Sequence, residues 1–128
     1  GQALGGLEAA FPAGARDVRP AAARARLAHI RHMQGAASEA EHLLRRAAAE
    51  YEQSLGRDHP QTHGCVRNLA VLLKQLAPGA AGREQDMLQE ADGLFQRAAR
   101  GYAAALGADH PDARRASANL ANFRRWRE

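Results

Sequence analysis

Aromatic residues make up only 5% of this 128-residue chain, and it contains one cysteine, Cys65. A lone thiol excludes an internal disulfide and favours a reducing compartment, cytoplasmic or organellar. Apolar residues never run together over the 18 or so positions that a membrane-spanning helix requires, so the chain reads as soluble, without a membrane partner. The first residues lack the basic-then-apolar layout of a secretory signal. A chain that begins at Gly1 without methionine reads as a cut domain or a processed form, with any address signal upstream. Its compartment therefore stays open. No Ser-His-Asp set or paired-carboxylate site is visible, and the glycines at 5, 6, 79 and 82 lack the strand-then-helix context of a phosphate loop. The expectation is a chain that is not an enzyme and carries no cofactor.

What the chain does have is an average globular balance, 45% apolar and 25% charged, in a length suited to one domain. Much of the apolar share is alanine, which packs helices closely but buries little area per residue. That predicts a thin helical core. The net charge of +4 comes from arginine far more than lysine and suits an acidic protein partner, a nucleic acid, or solubility alone.

The most informative feature is an internal repeat. EAEHLLRRAAAEYEQSLGRDHPQTHGCVRNLA, from Glu39, and EADGLFQRAARGYAAALGADHPDARRASANLA, from Glu90, share the tract LG-x-DHP and a closing Asn-Leu-Ala. A partial copy precedes them in Ala25-Arg26-Leu27-Ala28, Gln34-Gly35 and Glu39-Ala40. Repeats of a few tens of residues form stacked solenoids, in which each unit buries its apolar face only against its neighbours.

Helical spacing recurs in Ala40, Leu43, Leu44, Ala47, Ala48, Tyr51 and Leu55, and again in Val66, Leu69, Ala70, Leu72 and Leu73. Each unit therefore reads as a helical hairpin. Between units, Gly56 suits a left-handed C-terminal cap, Asp58 a side-chain cap for the next helix, and Pro60 its first turn. Gly107, Asp109 and Pro111 repeat that grammar. Helices are predicted from Arg19 or Pro20 to Gln34, over 38–55, over 60–75 and over 111–127, with a further one over 2–11. The spacing gives a degenerate half-repeat over 1–18, a first repeat over 19–56, a second over 57–107 and a C-terminal half-repeat or cap over 108–128. Leu27 to Leu69 spans 42 positions and Leu69 to Leu120 spans 51, so nine extra residues lie within 76–88. Pro78, Gly79 and Gly82 place them in a lengthened hairpin loop and the start of the following helix.

These residues resemble the tetratricopeptide repeats of the longer, kinesin light chain type, whose units carry LG-x-DHP and NLA. Leu55-Gly56-Arg57-Asp58-His59-Pro60 with Asn68-Leu69-Ala70 match that pattern, as do Leu106-Gly107-Ala108-Asp109-His110-Pro111 with Asn119-Leu120-Ala121. Glu39-Ala40-Glu41 with Leu43, Leu44 and Ala47 is similar to the family's second helix, and Glu90-Ala91-Asp92 with Leu94, Phe95 and Ala98 is so again. Leu44 and Phe95 depart from it where the family often has Tyr, and the first unit has Arg16-Asp17-Val18 in place of Asp-His-Pro. The resemblance implies an all-α solenoid, a superhelix of antiparallel hairpins with about two and a half repeats and five or six helices. It further implies a scaffold in which the first helix of each unit lines a concave groove for a peptide segment or partner subunit. Carried onto this chain, the groove residues are Arg26, His29, Arg67, Asn68, Val71, Lys74, Arg115, Asn119, Asn122 and Arg125. The wider stripes add Ala22, Ala25, His32 and Met33, then Gly64 and Gln75, then Ala118 and Trp126. Arginine forks suit carboxylates, and asparagine can hold both a peptide N–H and a C=O, so the expected partner is an acidic or mixed-charge protein segment.

Other readings stand beside these. A solvated helical face also explains exposed Arg and Lys, and Asn68 and Asn119 could tie adjacent helices together. Asp58-His59-Pro60 and its copy read as caps, since no nucleophile or orienting group accompanies them. His59, His63 and Cys65 fall short of a metal site because Cys65 turns off the face that the two histidines share; Cys65 reads as a small packed hydrophobe. Trp126 reads as a cap over the last apolar face or as a partner anchor. The alternative functions are RNA binding by a basic helical surface, which calls for stacking groups in the groove, docking as a structural subunit, or self-association through exposed ends.

Overall fold

The computed structural model describes residues 19–128, and the helix expected over 2–11 and the half-repeat over 1–18 lie outside that range. Five α-helices follow one another: α1 (Arg19–Met33), α2 (Ala37–Leu55), α3 (Pro60–Leu76), α4 (Glu84–Leu106) and α5 (Pro111–Arg127), with one 3-10 turn, Ala77–Gly79, after α3. No strand occurs among the described residues. Each helix packs mainly on the next in sequence, which is the nearest-neighbour architecture of an α-solenoid. The boundaries expected for α1, α2, α3 and α5 agree with those observed to within one residue.

Alanines at 28, 40, 47, 70, 91 and 98 are almost fully buried and let the helices approach closely. Leu44, Leu69, Leu72, Leu73, Phe95 and Phe123 fill the space between them. Phe95 and Phe123 stack at 5.0 Å, joining α4 to α5. Leu44 and Phe95, the departures from tyrosine, are both core residues.

The punctuation differs from expectation in two details. Asp58 does not cap α3; His59 does, its Nδ1 accepting the Gln61 N–H at 3.1 Å, and His110 accepts from the Asp112 N–H at the same distance. A ring nitrogen two residues ahead reaches the first-turn donor that a shorter carboxylate one residue earlier does not. Gly56 (φ 94°, ψ 160°) and Gly107 (φ 95°, ψ 145°) have positive φ but extended ψ, so they turn the chain sharply without entering the left-handed helical region. Thr62 braces the turn by donating its hydroxyl to the Gly56 carbonyl at 2.8 Å.

The insertion is not a free loop. Ala77, Met87 and Leu88 are buried in the core, and α4 begins at Glu84, about one turn before Leu88, the position equivalent to the start of α2. The connection runs over 77–83, against 34–36 in the first hairpin, so the extra residues lengthen both that connection and the start of α4.

Candidate functional site

The first helix of each hairpin presents the same kind of face. On α3, Arg67, Asn68, Val71 and Gln75 project from one side, because Val66, Leu69, Ala70 and Leu73 are claimed by the core on the other. Together with Arg26, His29 and His32 from α1 and Arg115 and Asn119 from α5, they surround a cavity of about 770 Å³. Ala25, Ala28, Ile30, Leu44 and Leu72 give it an apolar floor. Seven of the ten predicted site residues meet there: Arg26, His29, Arg67, Asn68, Val71, Arg115 and Asn119.

Lys74, Asn122 and Arg125 do not line it. Lys74 places its Nζ 4.8 Å from the centre of the Trp126 ring. Asn122 accepts from the Arg125 guanidinium at 3.4 Å on their own helix. Of the wider stripes, Ala22, Met33, Ala118 and Trp126 also stand off the cavity, and Gly64 faces α4 instead, where an added Cβ would meet the Tyr102 hydroxyl at 2.9 Å. Trp126 is half exposed and lies against Phe123 at 5.9 Å, so it shields one end of the core. Asn68 ties no helices together, since its Oδ1 accepts from its neighbour Arg67 at 3.3 Å. Sequence reasoning missed Leu72 as a lining residue, because its spacing marked it for the core, and did not single out Ile30.

The electrostatics of the groove follow from where the acids are spent. Arg45 grips Glu90 through two bonds of 2.6 and 2.8 Å, Arg45 and Arg83 share Glu41 at 3.1 and 3.2 Å, Arg97 meets Glu52 at 2.5 Å, and Arg124 meets Asp92 at 3.0 Å. All these pairs lie away from the groove. The hydrogen bonds from Arg45 and Arg124 hold the Glu90 and Asp92 carboxyls below the ordinary carboxylate range. Within the groove lining there are three arginines and two histidines but no Asp or Glu. Arg115 has Asp112 at 3.5 Å one turn away, whereas Arg26 and Arg67 have no ion-pair partner among the described residues. No cluster of metal-ligating groups occurs among the described residues either. Cys65 is buried, and loss of solvation pushes its thiol up to about 12.

Stacked antiparallel hairpins with a basic face on their first helices define an α-solenoid interaction module. The chain belongs to the tetratricopeptide repeat family, whose pattern matches residues 21–61 and 83–112, more than half of its length. The matching type is the one found in kinesin light chain repeats. A comparison with curated proteins finds no match. Tetratricopeptide repeats mediate protein–protein interaction and are a non-enzymatic scaffold type. No helix among the described residues is long and apolar enough to cross a membrane.

Proposed function

We propose that the groove formed by α1, α3 and α5 holds an acidic or mixed-charge segment of another protein, and that the chain acts as a scaffold without catalysis of its own. The observation that carries this reading is the one-sided charge of the lining: Arg26, Arg67 and Arg115 come from three successive first helices, and no carboxylate lines the cavity with them. Guanidinium forks recognise carboxylates bidentately, and Asn68 and Asn119 offer amides to a peptide backbone. The apolar floor at Ile30, Val71 and Leu72 gives a place for one hydrophobic side chain of the segment. RNA is the weaker fit, because stacking surfaces dominate single-strand recognition and no Phe, Tyr or Trp lines the groove.

Selection from a random peptide display library tests the proposal. The expected outcome is enrichment of Asp and Glu beside an apolar residue, with selected peptides binding the Arg67→Glu/Arg115→Glu chain at least tenfold more weakly while its helical circular dichroism stays unchanged. Selected peptides without acidic bias, or unchanged affinity in the double variant, would remove the groove from the account.

A further inference from the structure

A second concavity, of about 550 Å³, shares no lining residue with the groove. One wall is a face of α4 that carries Arg97, Arg100 and Gly101; the other is the turn before α3, with Arg57 and Asp58, and the first turn of α3, with His63. His63 is 2% exposed, and neither of its ring nitrogens makes a hydrogen bond of ordinary geometry, the Asp58 backbone being the nearest contact that favours a ring N–H. A buried polar group left unsatisfied is costly, so such a group calls for an explanation. The ring packs against Tyr102 at 5.8 Å, which accounts for its burial but not for its nitrogens. The equivalent position in the first hairpin is Ala21, which is buried equally well. The chain has also made room for the imidazole, since a Cβ on Gly101 would fall within the His63 ring, whereas the first hairpin carries Glu50 there, ion-paired with Arg24.

The surrounding charge points the same way. Arg57 and Arg100 are exposed and have no ion-pair partner among the described residues, and Arg97, held by Glu52, keeps its buried Nε without an acceptor. Asp58 is the one acid in the lining. Burial and the neighbouring Arg97 hold the His63 pKa below its ordinary 6.5, against the opposing charge and backbone of Asp58.

We infer that this trough is a subsite for a phosphate-type oxyanion. Arg57 and Arg100 supply exposed guanidinium forks, and the Arg97 Nε–H and the His63 N–H donate from the floor. A carboxylate offers two oxygens to these donors; a phosphate group carries more oxygens and a larger negative charge, which suits four donor groups of which three are cationic. Free inorganic phosphate and a phosphorylated side chain on a partner share this chemistry. The site does not depend on the groove being occupied.

The test is nitrogen-edited NMR of the full chain, following the His63 ring and the Arg97 Nε–H during titration with inorganic phosphate, phosphoserine and acetate at fixed ionic strength. The charges facing His63 are Arg57 and Asp58 from the turn and Arg97 and Arg100 from α4, with Glu52 on α2 behind Arg97. Added phosphate negative charge should therefore raise the His63 pKa, a response that a purely structural histidine lacks. The expected result is saturable binding of phosphate or phosphoserine at millimolar concentration or below, weakened at least tenfold in Arg57→Gln/Arg100→Gln, whose exposed positions leave the fold intact. Tenfold preference for phosphoserine assigns the site to a modified partner, and the reverse preference to the free ion. No saturable change at His63, equal affinity in the double variant, or an equal response to acetate would overturn the inference.

Discussion

The two hairpins α1–α2 and α3–α4 are copies of one pattern, yet they hold the fold together unequally. Helix α3 buries Thr62, His63, Cys65, Val66, Leu69, Ala70, Leu72 and Leu73, whereas α1 buries only Ala21 and Ala28. Position in the stack explains the difference. Among the described residues α3 lies between α2 and α4, while α1 packs on α2 alone and leaves Ile30 and Met33 exposed. In a nearest-neighbour solenoid an inner helix has two interfaces and an outer one has one, whatever its sequence pattern. The pair at the hairpin base differs as well, buried Ala21 with half-buried Glu50 in one copy and buried His63 with Gly101 in the other. A repeat thus fixes a shape while leaving its interior chemistry open to change.

The largest expected effect separates inner from outer helix. Leu73→Ala, at a side chain with no exposure, is expected to cost about 4 kcal/mol by urea denaturation, and Ile30→Ala, half exposed, under about 1 kcal/mol. Equal costs would show that the outer helix is covered as fully as the inner one. Gly101→Glu copies the first hairpin's residue into the second and is expected to cost about 3 kcal/mol, since the side chain must displace the His63 ring. Adding His63→Ala completes the copy and should restore most of the loss; no recovery in the double variant would break the equivalence drawn between the two bases.

The smallest effect concerns the bridge between the two second helices. Glu90→Gln is expected to lower stability at pH 7 by under about 1 kcal/mol, because the Arg45 pair is largely exposed and screened. Glu90 has a folded pKa below its ordinary 4.5, so its contribution is fully present above that pH and fades as the pH falls through the folded value. Stability measured across that acid range should therefore fall less steeply in the variant. An unchanged slope would show the pair to be energetically silent.

Helix positions and the groove were legible because both depend on periodicity: Arg26, Asn68 and Asn119 share one register position, Arg67 and Arg115 lie on the same face at others, and the core side follows from Val66, Leu69, Ala70 and Leu73. The ends of that face were not. Lys74 and Arg125 share the stripe, but Trp126 engages the one and Asn122 the other, and such contacts depend on side-chain direction in three dimensions. His63 was weighed only as a metal ligand beside Cys65, because its true neighbour, Gly101, lies on another helix and glycine leaves no pattern of its own. Pro78, Gly79 and Gly82 marked the insertion as a longer loop running into the start of the following helix, but not that Ala77, Met87 and Leu88 are buried there.

The seclusion of Cys65 has a practical consequence. The chain's one sulfhydryl is 4% exposed on the inner helix, with its ionisation pushed to high pH, so an alkylating reagent can reach it only during excursions that part α3 from its neighbours. Its labelling rate is thus a built-in clock for how often the stack breathes, readable without introducing a probe.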